Sequence, residues 1–354
     1  MRCGGRRVRG NREMEVMNIG IVGYGGMGSY HAERLIPDEG DLFKVLGIYD
    51  INEERSLRAA EKKINTYRSY EDLLADNNIE AVLIATPNDS HKDLSIKALQ
   101  AGKHVVCEKP VTMNTQEFDE IIEVAQKENK IFMVHQNRRW DPDFLLVQDL
   151  YKNRAIGDVF QIESRVHGAN GIPGDWRHLK KHGGGMLLDW GIHLLDQIFW
   201  MVESPIAKVE TDLSYILGDE VDDGFTTYIT FENGIRSVVE VGTTNFTSLP
   251  RWYVKGNKGT ARIDNWDLSG EMVVATGTEV EAKPSPIRAG VGLTKTMAPP
   301  VQGVTKKVAL PKPNLNQPTF YRNFYEVIRY GAEPIVKNEE VREVMKLIDN
   351  ILTF

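Results

Sequence analysis

Asn18-Ile19-Gly20-Ile21-Val22-Gly23-Tyr24-Gly25-Gly26-Met27-Gly28 is the stretch on which the fold turns. A short apolar strand runs into glycines at 23, 25 and 28, and Met27 to Leu35 continues as a helix. A turn of this spacing lets a pyrophosphate approach main-chain N–H groups at a helix N-terminus. Without a ligand the same letters make only a glycine-rich turn. The next apolar run, Phe43 to Tyr49, ends at Asp50, whose carboxylate is placed to accept hydrogen bonds from adenosine ribose hydroxyls. That residue tips the reading toward a dinucleotide held by Gly23, Gly25, Gly26, Met27, Gly28 and Asp50. A carboxylate repels a 2′-phosphate and Ile51-Asn52 brings no adjacent cation, so NAD is expected over NADP. Arg55 reads as a solvated helix residue.

Outward from this turn, strands and helices alternate. A helix over Glu53 to Glu61 and a short strand near Ile64 to Tyr67 follow, and Ser69 before Tyr70-Glu71-Asp72-Leu73-Leu74 has the form of a helix cap. Ala81 to Thr86 is a continuous apolar strand stopped by Pro87. Then come a helix (Ser90 to Gln100), a strand (His104 to Cys107), a helix (Thr115 to Glu128) and a strand (Ile131 to His135). Continuous apolarity in the strands predicts a parallel, doubly wound sheet covered on both faces. The domain is expected over residues 17–140.

Beyond a helix at Asp143 to Tyr151 the texture changes. Val159 to Val166, Val209 to Leu217, Thr226 to Phe231, Ile235 to Val241 and Thr260 to Ile263 alternate between faces, and Asn233-Gly234 is a hairpin signal. Residues 141–354 therefore read as an α+β domain with a large open, mostly antiparallel sheet. Phe320 to Arg329 and Glu339 to Leu352 read as amphipathic helices closing the chain. Lys283 to Pro313, rich in Pro and Lys without periodicity, reads as a long functional or mobile loop.

With 354 residues, 41% hydrophobic and 26% charged, the chain is long enough for two globular domains. A net charge of −7 gives no reason to expect a nucleic acid or an anionic membrane as partner. Only Cys3 and Cys107 occur, which fits a reducing cytoplasm. Residues 1–16 carry five arginines and no apolar segment, so a secretory signal is not expected. A disordered basic arm, or a natural start at Met14 or Met17, accounts for them, and the second is favoured.

Three further stretches carry candidate chemistry. Thr86-Pro87-Asn88-Asp89-Ser90-His91 follows a strand at the crevice rim. It reads equally as cofactor contact through Thr86, Asn88 and His91, or as a turn with a cap at Asp89 or Ser90. Val106-Cys107-Glu108-Lys109-Pro110 ends a buried strand in a lysine whose backbone Pro110 biases toward an extended form. An ammonium there would favour an alkoxide as hydride leaves, although composition alone reads Lys109 as a surface residue. In Gly183-Gly184-Gly185-Met186-Leu187-Leu188-Asp189-Trp190-Gly191-Ile192-His193, Asp189 and His193 share a helical face. The glycines would let the backbone approach a ligand or the other domain. Imidazole suits proton transfer near neutral pH, while a surface ion pair is the plainer reading. His178, His182, Asp189 and His193 fit no common metal spacing, so no metal is expected. Gln136-Asn137-Arg138-Arg139 could face a hydroxylated substrate or make interdomain salt bridges. Trp176-Arg177 and Trp190 suit a carbohydrate site, though core tryptophans are commoner.

Taken together, the glycine turn with His31, Ala85-Thr86-Pro87-Asn88 with His91, Glu108-Lys109-Pro110 and Gly183-Gly184-Gly185…Asp189…His193 resemble the glucose–fructose oxidoreductase/inositol dehydrogenase/MocA family. The resemblance covers about residues 17–354. It implies a Rossmann domain, a second domain whose open sheet packs in homo-oligomers, and a cofactor contact that includes Glu108 and Lys109. It also implies Lys109 and His193 as catalytic, with Asp189 holding substrate or orienting the histidine. Gln136, Asn137, Arg138 and Arg139 resemble the corresponding stretch in inositol and related sugar dehydrogenases, and Asn137, Arg138, Trp176 and Arg177 are the candidate substrate contacts. The arginine leader and the stretch 283–313 depart from the common pattern; a long lid there would serve a bulky glycoside. The expected activity is oxidation of a ring secondary alcohol, a glucosyl 3-hydroxyl or an inositol, with hydride passing to NAD. The alternative is a redox-neutral glycosidase or lyase that retains NAD. A non-catalytic NAD-binding regulator is disfavoured because the Lys, Asp and His positions are filled.

Overall fold

The computed structural model describes residues 15–277, 285–300 and 303–353. The leader up to residue 14 and the start of the Pro/Lys-rich stretch at Lys283 lie outside them. The chain divides into two compact units. One takes the chain up to Val111, Gln116–His135 and Pro318–Lys337, and the other takes Thr112–Thr115, Gln136–Gln317 and the chain from Asn338.

The first unit is a five-stranded sheet of β1 (Met17–Val22), β2 (Phe43–Tyr49), β3 (Ala81–Ile84), β4 (His104–Cys107) and β5 (Phe132–Val134). All pairs are parallel, in the order β2-β1-β3-β4-β5. β3 is fully buried and β1 nearly so, as strands with helices on both faces must be. The helices are α1 (Gly26–Tyr30), running on through a π-type turn at His31–Leu35, α2 (Glu53–Glu61), α3 (Tyr70–Ala75), α4 (His91–Gln100) and α5 (Thr115–Lys127). Ser69 caps α3, its hydroxyl accepting the Asp72 N–H at 3.0 Å, as its sequence position predicts. The strand expected near Ile64 to Tyr67 shrinks to a single parallel bridge, Ile48 to Thr66, beside β2. Strand order reverses between β1 and β3, and the carboxyl ends flanking that point form the ligand crevice of such sheets.

The second unit is built on α6 (Pro142–Lys152), α7 (Ile192–Met201) and an eight-stranded sheet. Its strands are β6 (Val159–His167), β7 (Ile206–Ser214), β8 (Gly224–Phe231), β9 (Arg236–Gly242), β10 (Trp252–Gly256), β11 (Gly259–Ile263) and β12 (Gly270–Ala275), with β15 (Thr305–Val308) at one edge. The ladder is antiparallel except for β6 on β9. Period-two burial runs through β8 and β9, with Phe225, Ile229, Val239 and Val241 inside. Asn233-Gly234 turns the hairpin between them, with Gly234 at φ +86°. The expected strand at Val209 to Leu217 is displaced to Ile206–Ser214.

The long loop expected over 283–313 is not one loop. Its described part holds the hairpin β13 (Ile287–Ala289) and β14 (Gly292–Thr294), and β15, which pairs antiparallel with β12. Thr305-Lys306-Lys307-Val308 has no apolar alternation because it is an edge strand, where lysines discourage further pairing.

Two helices close the chain: α8 (Phe320–Tyr330) and α9 (Asn338–Thr353). Although the sequence groups α8 with the second domain, it belongs to the first unit. The Tyr321 hydroxyl meets His31 Nδ1 at 2.6 Å, Tyr325 donates to the Glu15 carbonyl at 2.9 Å and Arg329 pairs with Glu80 at 2.6 Å. In the second unit α9 buries Val341, Val344, Met345 and Ile348. Among the described residues no helix is long and apolar enough to cross a membrane.

Candidate active site

In the first unit the glycine turn is set by close approaches that only glycine allows. Gly23 has φ +89°, and a Cβ there would sit 2.4 Å from the Ala85 carbonyl oxygen beyond β3. A Cβ on Gly28 would lie 1.9 Å from the Gly23 carbonyl oxygen. Gly25 and Gly26 are crowded by nothing closer than 3.7 Å, so their side of the turn is open to a ligand. The structure therefore brings Gly23, Gly25, Gly26, Met27, Gly28 and the Thr86 loop together at the switch point.

Asp50 is buried, and its carboxylate accepts the N–H groups of Tyr24 at 2.6 Å and Asn52 at 2.8 Å. Arg55 is not simply solvated: its guanidinium lies 3.3 Å from Asp50 Oδ2 and 3.7 Å from the Cβ position of Gly25. One helical turn on, Arg58 donates to the Tyr24 carbonyl at 2.9 Å. The expectation of no compensating cation beside Asp50 is thereby corrected. Residue 51 points elsewhere, and the helix brings the charge back from residue 55.

Two expected cofactor contacts face inward. His91 is wholly buried, with its ring nitrogens 2.9 Å from the Pro110 carbonyl and 2.8 Å from the Thr86 carbonyl. Burial pushes its pKa down, and a neutral ring, with a single N–H, donates to one of these two carbonyls only. Glu108 is also buried; His31 Nε2 at 2.7 Å and His135 Nδ1 at 2.8 Å both meet its Oε1. Its Oε2 accepts the Lys109 main-chain N–H at 3.1 Å. Burial opposes ionisation of Glu108, but the two imidazoles outweigh it and hold its pKa well below the usual carboxylate range. The side chains of His91 and Glu108 thus brace the crevice rather than line it. Thr86 remains at the rim, its hydroxyl sharing a 2.6 Å hydrogen bond with Ser90, whereas Asn88 is buried as His91 and Glu108 are. The Ser90 hydroxyl turns back to the Pro87 carbonyl at 2.7 Å and so does not cap α4. Lys109 is partly exposed at the end of β4.

In the second unit a π-type turn, Leu187–Gly191, carries Asp189 and Trp190 into α7, whose second residue is His193. The Asp189 carboxylate lies 3.3 Å from Arg177 Nε, and the Arg177 guanidinium stacks 4.5 Å from the Trp176 ring. Trp190 meets the His193 ring edge-on at 6.0 Å. Arg138 lies 4.2 Å from the Trp190 ring and 5.4 Å from that of Trp266, while its guanidinium pairs with Asp141 at 3.0 Å. Asp189, Trp190, His193, Trp176, Arg177 and Arg138 therefore lie in one neighbourhood, and Asn137 is partly exposed beside Arg138.

The glycine run before this turn serves the fold. A Cβ on Gly184 would lie 2.2 Å from the Arg177 carbonyl oxygen, and one on Gly185, at φ +102°, 2.3 Å from Asp222 Oδ1. These close approaches are internal to the unit, not to a ligand. Asp222 caps the turn through the Leu187 N–H at 2.8 Å. Burial, with Asp223 adding, pushes the pKa of Asp222 up to about 6 against the pull of the backbone N–H groups. Arg139 is buried and pairs with Asp196, at 2.6 and 2.8 Å, and with Glu340, at 2.6 Å, all within the second unit. Trp266, Asp222 and Tyr321 are absent from the sequence reading; each is a single letter without a pattern, although Asp222-Asp223-Gly224 could have been read as a turn.

His178 pairs with Asp219 at 3.2 Å, and the set His178, His182, Asp189 and His193 does not converge. Among the described residues the donor atoms of His31, Glu108 and His135 do, within 4.8 Å. Two histidines and a carboxylate suit zinc. Here one carboxylate oxygen already takes both imidazoles at hydrogen-bond lengths.

A parallel sheet with a dinucleotide turn at its switch point, followed by a unit built on an open antiparallel sheet, defines a Rossmann-type oxidoreductase with a second functional domain. Residues 17–136 match the model of the oxidoreductase family with an NAD-binding Rossmann fold, and residues 144–262 match that of the GFO/IDH/MocA C-terminal domain. The chain belongs to the GFO/IDH/MocA family of oxidoreductases. It is similar to an NAD-binding protein of Listeria innocua of known crystal structure, at 57% identity over 96% of this chain and 97% of that one, with a TM-score of 0.93. It is 31% identical to the myo-inositol 2-dehydrogenase of Thermotoga maritima over 63% of this chain and 68% of that protein. It is 27% identical to scyllo-inositol 2-dehydrogenase (NADP(+)) IolW of Bacillus subtilis, over 97% of this chain and 94% of that protein.

Proposed function

We propose that this protein is an NAD-dependent dehydrogenase oxidising a ring secondary hydroxyl of an inositol or of a glucosyl unit at its 3-position. Hydride leaves the carbinol carbon for C4 of the nicotinamide. The hydroxyl proton goes to His193, Lys109 stabilises the developing alkoxide, and Asp189 fixes the hydroxyl. The observation that carries this reading is the start of α7, where a carboxylate and an imidazole stand beside indole rings and guanidinium groups. Such a set combines proton transfer with the aromatic and ionic surface that a polyhydroxylated ring uses. The similarity to inositol dehydrogenases supports the same substrate class.

NAD is favoured by the Asp50 carboxylate, while Arg55 beside it gives NADP a point of attachment. The open face of the second unit's sheet, with Lys208, Glu210 and Tyr228 exposed, is the proposed surface for homo-oligomers; light scattering tests it. The function itself is tested by reduced-nicotinamide absorbance at mildly alkaline pH, with NAD and NADP, against inositols, free sugars and aryl glucosides. Signal with any of these supports the proposal and names the substrate. Silence across the panel, with cofactor retained on the purified protein, would replace it with a redox-neutral glycosidase or lyase.

A further inference from the structure

Three buried histidines from three different elements close on Glu108-Lys109-Pro110. His31 follows α1, His91 opens α4 and His135 follows β5; all three are at most 2% exposed. Two of them converge on one carboxylate oxygen of Glu108, and the ring of the third lies 2.9 Å from the Pro110 carbonyl. The second oxygen of Glu108 accepts the N–H of the next residue, Lys109, at 3.1 Å. Behind His31, Tyr321 on α8 meets Nδ1 at 2.6 Å, and Tyr321 is itself buried.

The proton positions in this cluster follow from its geometry. An ionised carboxylate only accepts, so His31 Nε2 and His135 Nδ1 both carry hydrogens. Burial first, then the neighbouring His135, hold the His31 pKa below its ordinary value, so His31 is neutral and its Nδ1 is a lone pair. The Tyr321 hydroxyl therefore donates to it. The chain of hydrogen bonds runs from Tyr321 through His31 to Glu108, with His135 and the Lys109 main chain as further donors. Every partner of the carboxylate is anchored in a different element, so the carboxylate is fixed. Through it, so is the peptide of Lys109.

We propose that Glu108, tethered by His31 and His135 and through His31 by Tyr321, is a positioning residue that holds Lys109 for reaction. This rests on the role given to Lys109 above. Misplacement of a reacting group by about an ångström is enough to cost on the order of 100-fold in rate. Fixing the main chain at residue 109 sets the point from which the lysine side chain reaches.

The test uses Glu108→Gln, Tyr321→Phe and Lys109→Ala in the full-length protein, alone and with Glu108→Gln combined with Lys109→Ala. Turnover is measured with the panel substrate most active in the parent, and NAD binding by protein fluorescence. Glu108→Gln should lower kcat about 10- to 100-fold. KM and the NAD dissociation constant should stay within about twofold, and no further loss should appear on top of Lys109→Ala. Tyr321→Phe, which keeps the ring packing, should lower kcat in the same direction by about two- to tenfold. Nitrogen-15 NMR of the histidines should show His31 protonated on Nε2 alone at neutral pH. Loss of activity in Glu108→Gln that tracks lost NAD binding, or that repeats in full in the Lys109→Ala background, would overturn the proposal. So would His31 protonated on Nδ1, or stoichiometric zinc that leaves with Glu108→Gln. Full turnover in Lys109→Ala is a different failure, that of the catalytic role of Lys109. If the parent turns over nothing, the substrate reading fails and the tautomer of His31 still decides this proposal.

Discussion

Two buried carboxylates hold the two segments that carry the proposed chemistry, and they do so in opposite electrostatic settings. Glu108 accepts the Lys109 N–H in the first unit, and Asp222 accepts the Leu187 N–H ahead of Asp189 and His193 in the second. Glu108 has two imidazoles on one oxygen, and its pKa lies well below the ordinary range. Asp222 has backbone N–H groups for partners and Asp223 nearby, and its pKa rises to about 6. Burial acts the same way on both. What differs is whether imidazole partners accompany the burial, and this separates a pH-resistant anchor from a pH-sensitive one.

The largest effect that bears on this contrast is removal of the chemistry each anchor serves. Lys109→Ala and His193→Ala should each cost about 10²- to 10⁴-fold in kcat/KM while NAD binding persists. Stopped-flow turnover and a binding isotherm check both; unchanged turnover removes the residue from the mechanism.

Next in size is the pH dependence of stability. The folded pKa of Asp222 lies above its unfolded value of 3.8, at about 6. Its protonated form is thus favoured by the fold, and that contribution is complete below about 3.8 and lost as pH rises through about 6. The shift corresponds to roughly 3 kcal/mol. Asp222→Asn should remove this slope, which thermal melts between pH 4 and 7 would show. Glu108→Gln should leave the slope in place, and an equal change in both variants would erase the distinction between the anchors.

Cofactor choice sharpens the first unit's half of the comparison. Asp50→Ala should weaken the preference for NAD over NADP, on the order of tenfold, and Arg55→Ala should lower NADP use by a similar factor. Preference ratios measured with both cofactors decide it, and unaltered ratios would refute the roles of Asp50 and Arg55. The smallest effect belongs to Trp266, which lies 6.2 Å from the Trp190 ring and is 44% exposed. Trp266→Ala should raise KM about two- to tenfold with little change in kcat, since an aromatic contact is worth about 0.5–1.5 kcal/mol.

Much of the first unit is legible in sequence because its strands are continuous apolar runs and its turn is written in glycine. The site side chains are less so. His91 and Glu108 carry the polarity of ligand contacts, and nothing along the chain tells that they point inward; that depends on Pro110, His31 and His135, all distant in sequence from at least one of them. Arg55 is invisible for a related reason, since a helix returns it to Asp50. In the second unit β10, β12 and β15 escape the pattern because they are only four to six residues long, and β15 is a lysine-rich edge strand. The start of α7 was readable from Asp189 and His193, whereas its support by Asp222 exists only after folding.

The most direct test of the account is transfer of label from a carbinol-deuterated inositol or glucoside to the nicotinamide. Mass spectrometry of the cofactor after turnover should find one deuterium at C4 and net reduced cofactor equal to ketone formed. Turnover that leaves the cofactor oxidised and unlabelled would contradict a dehydrogenase.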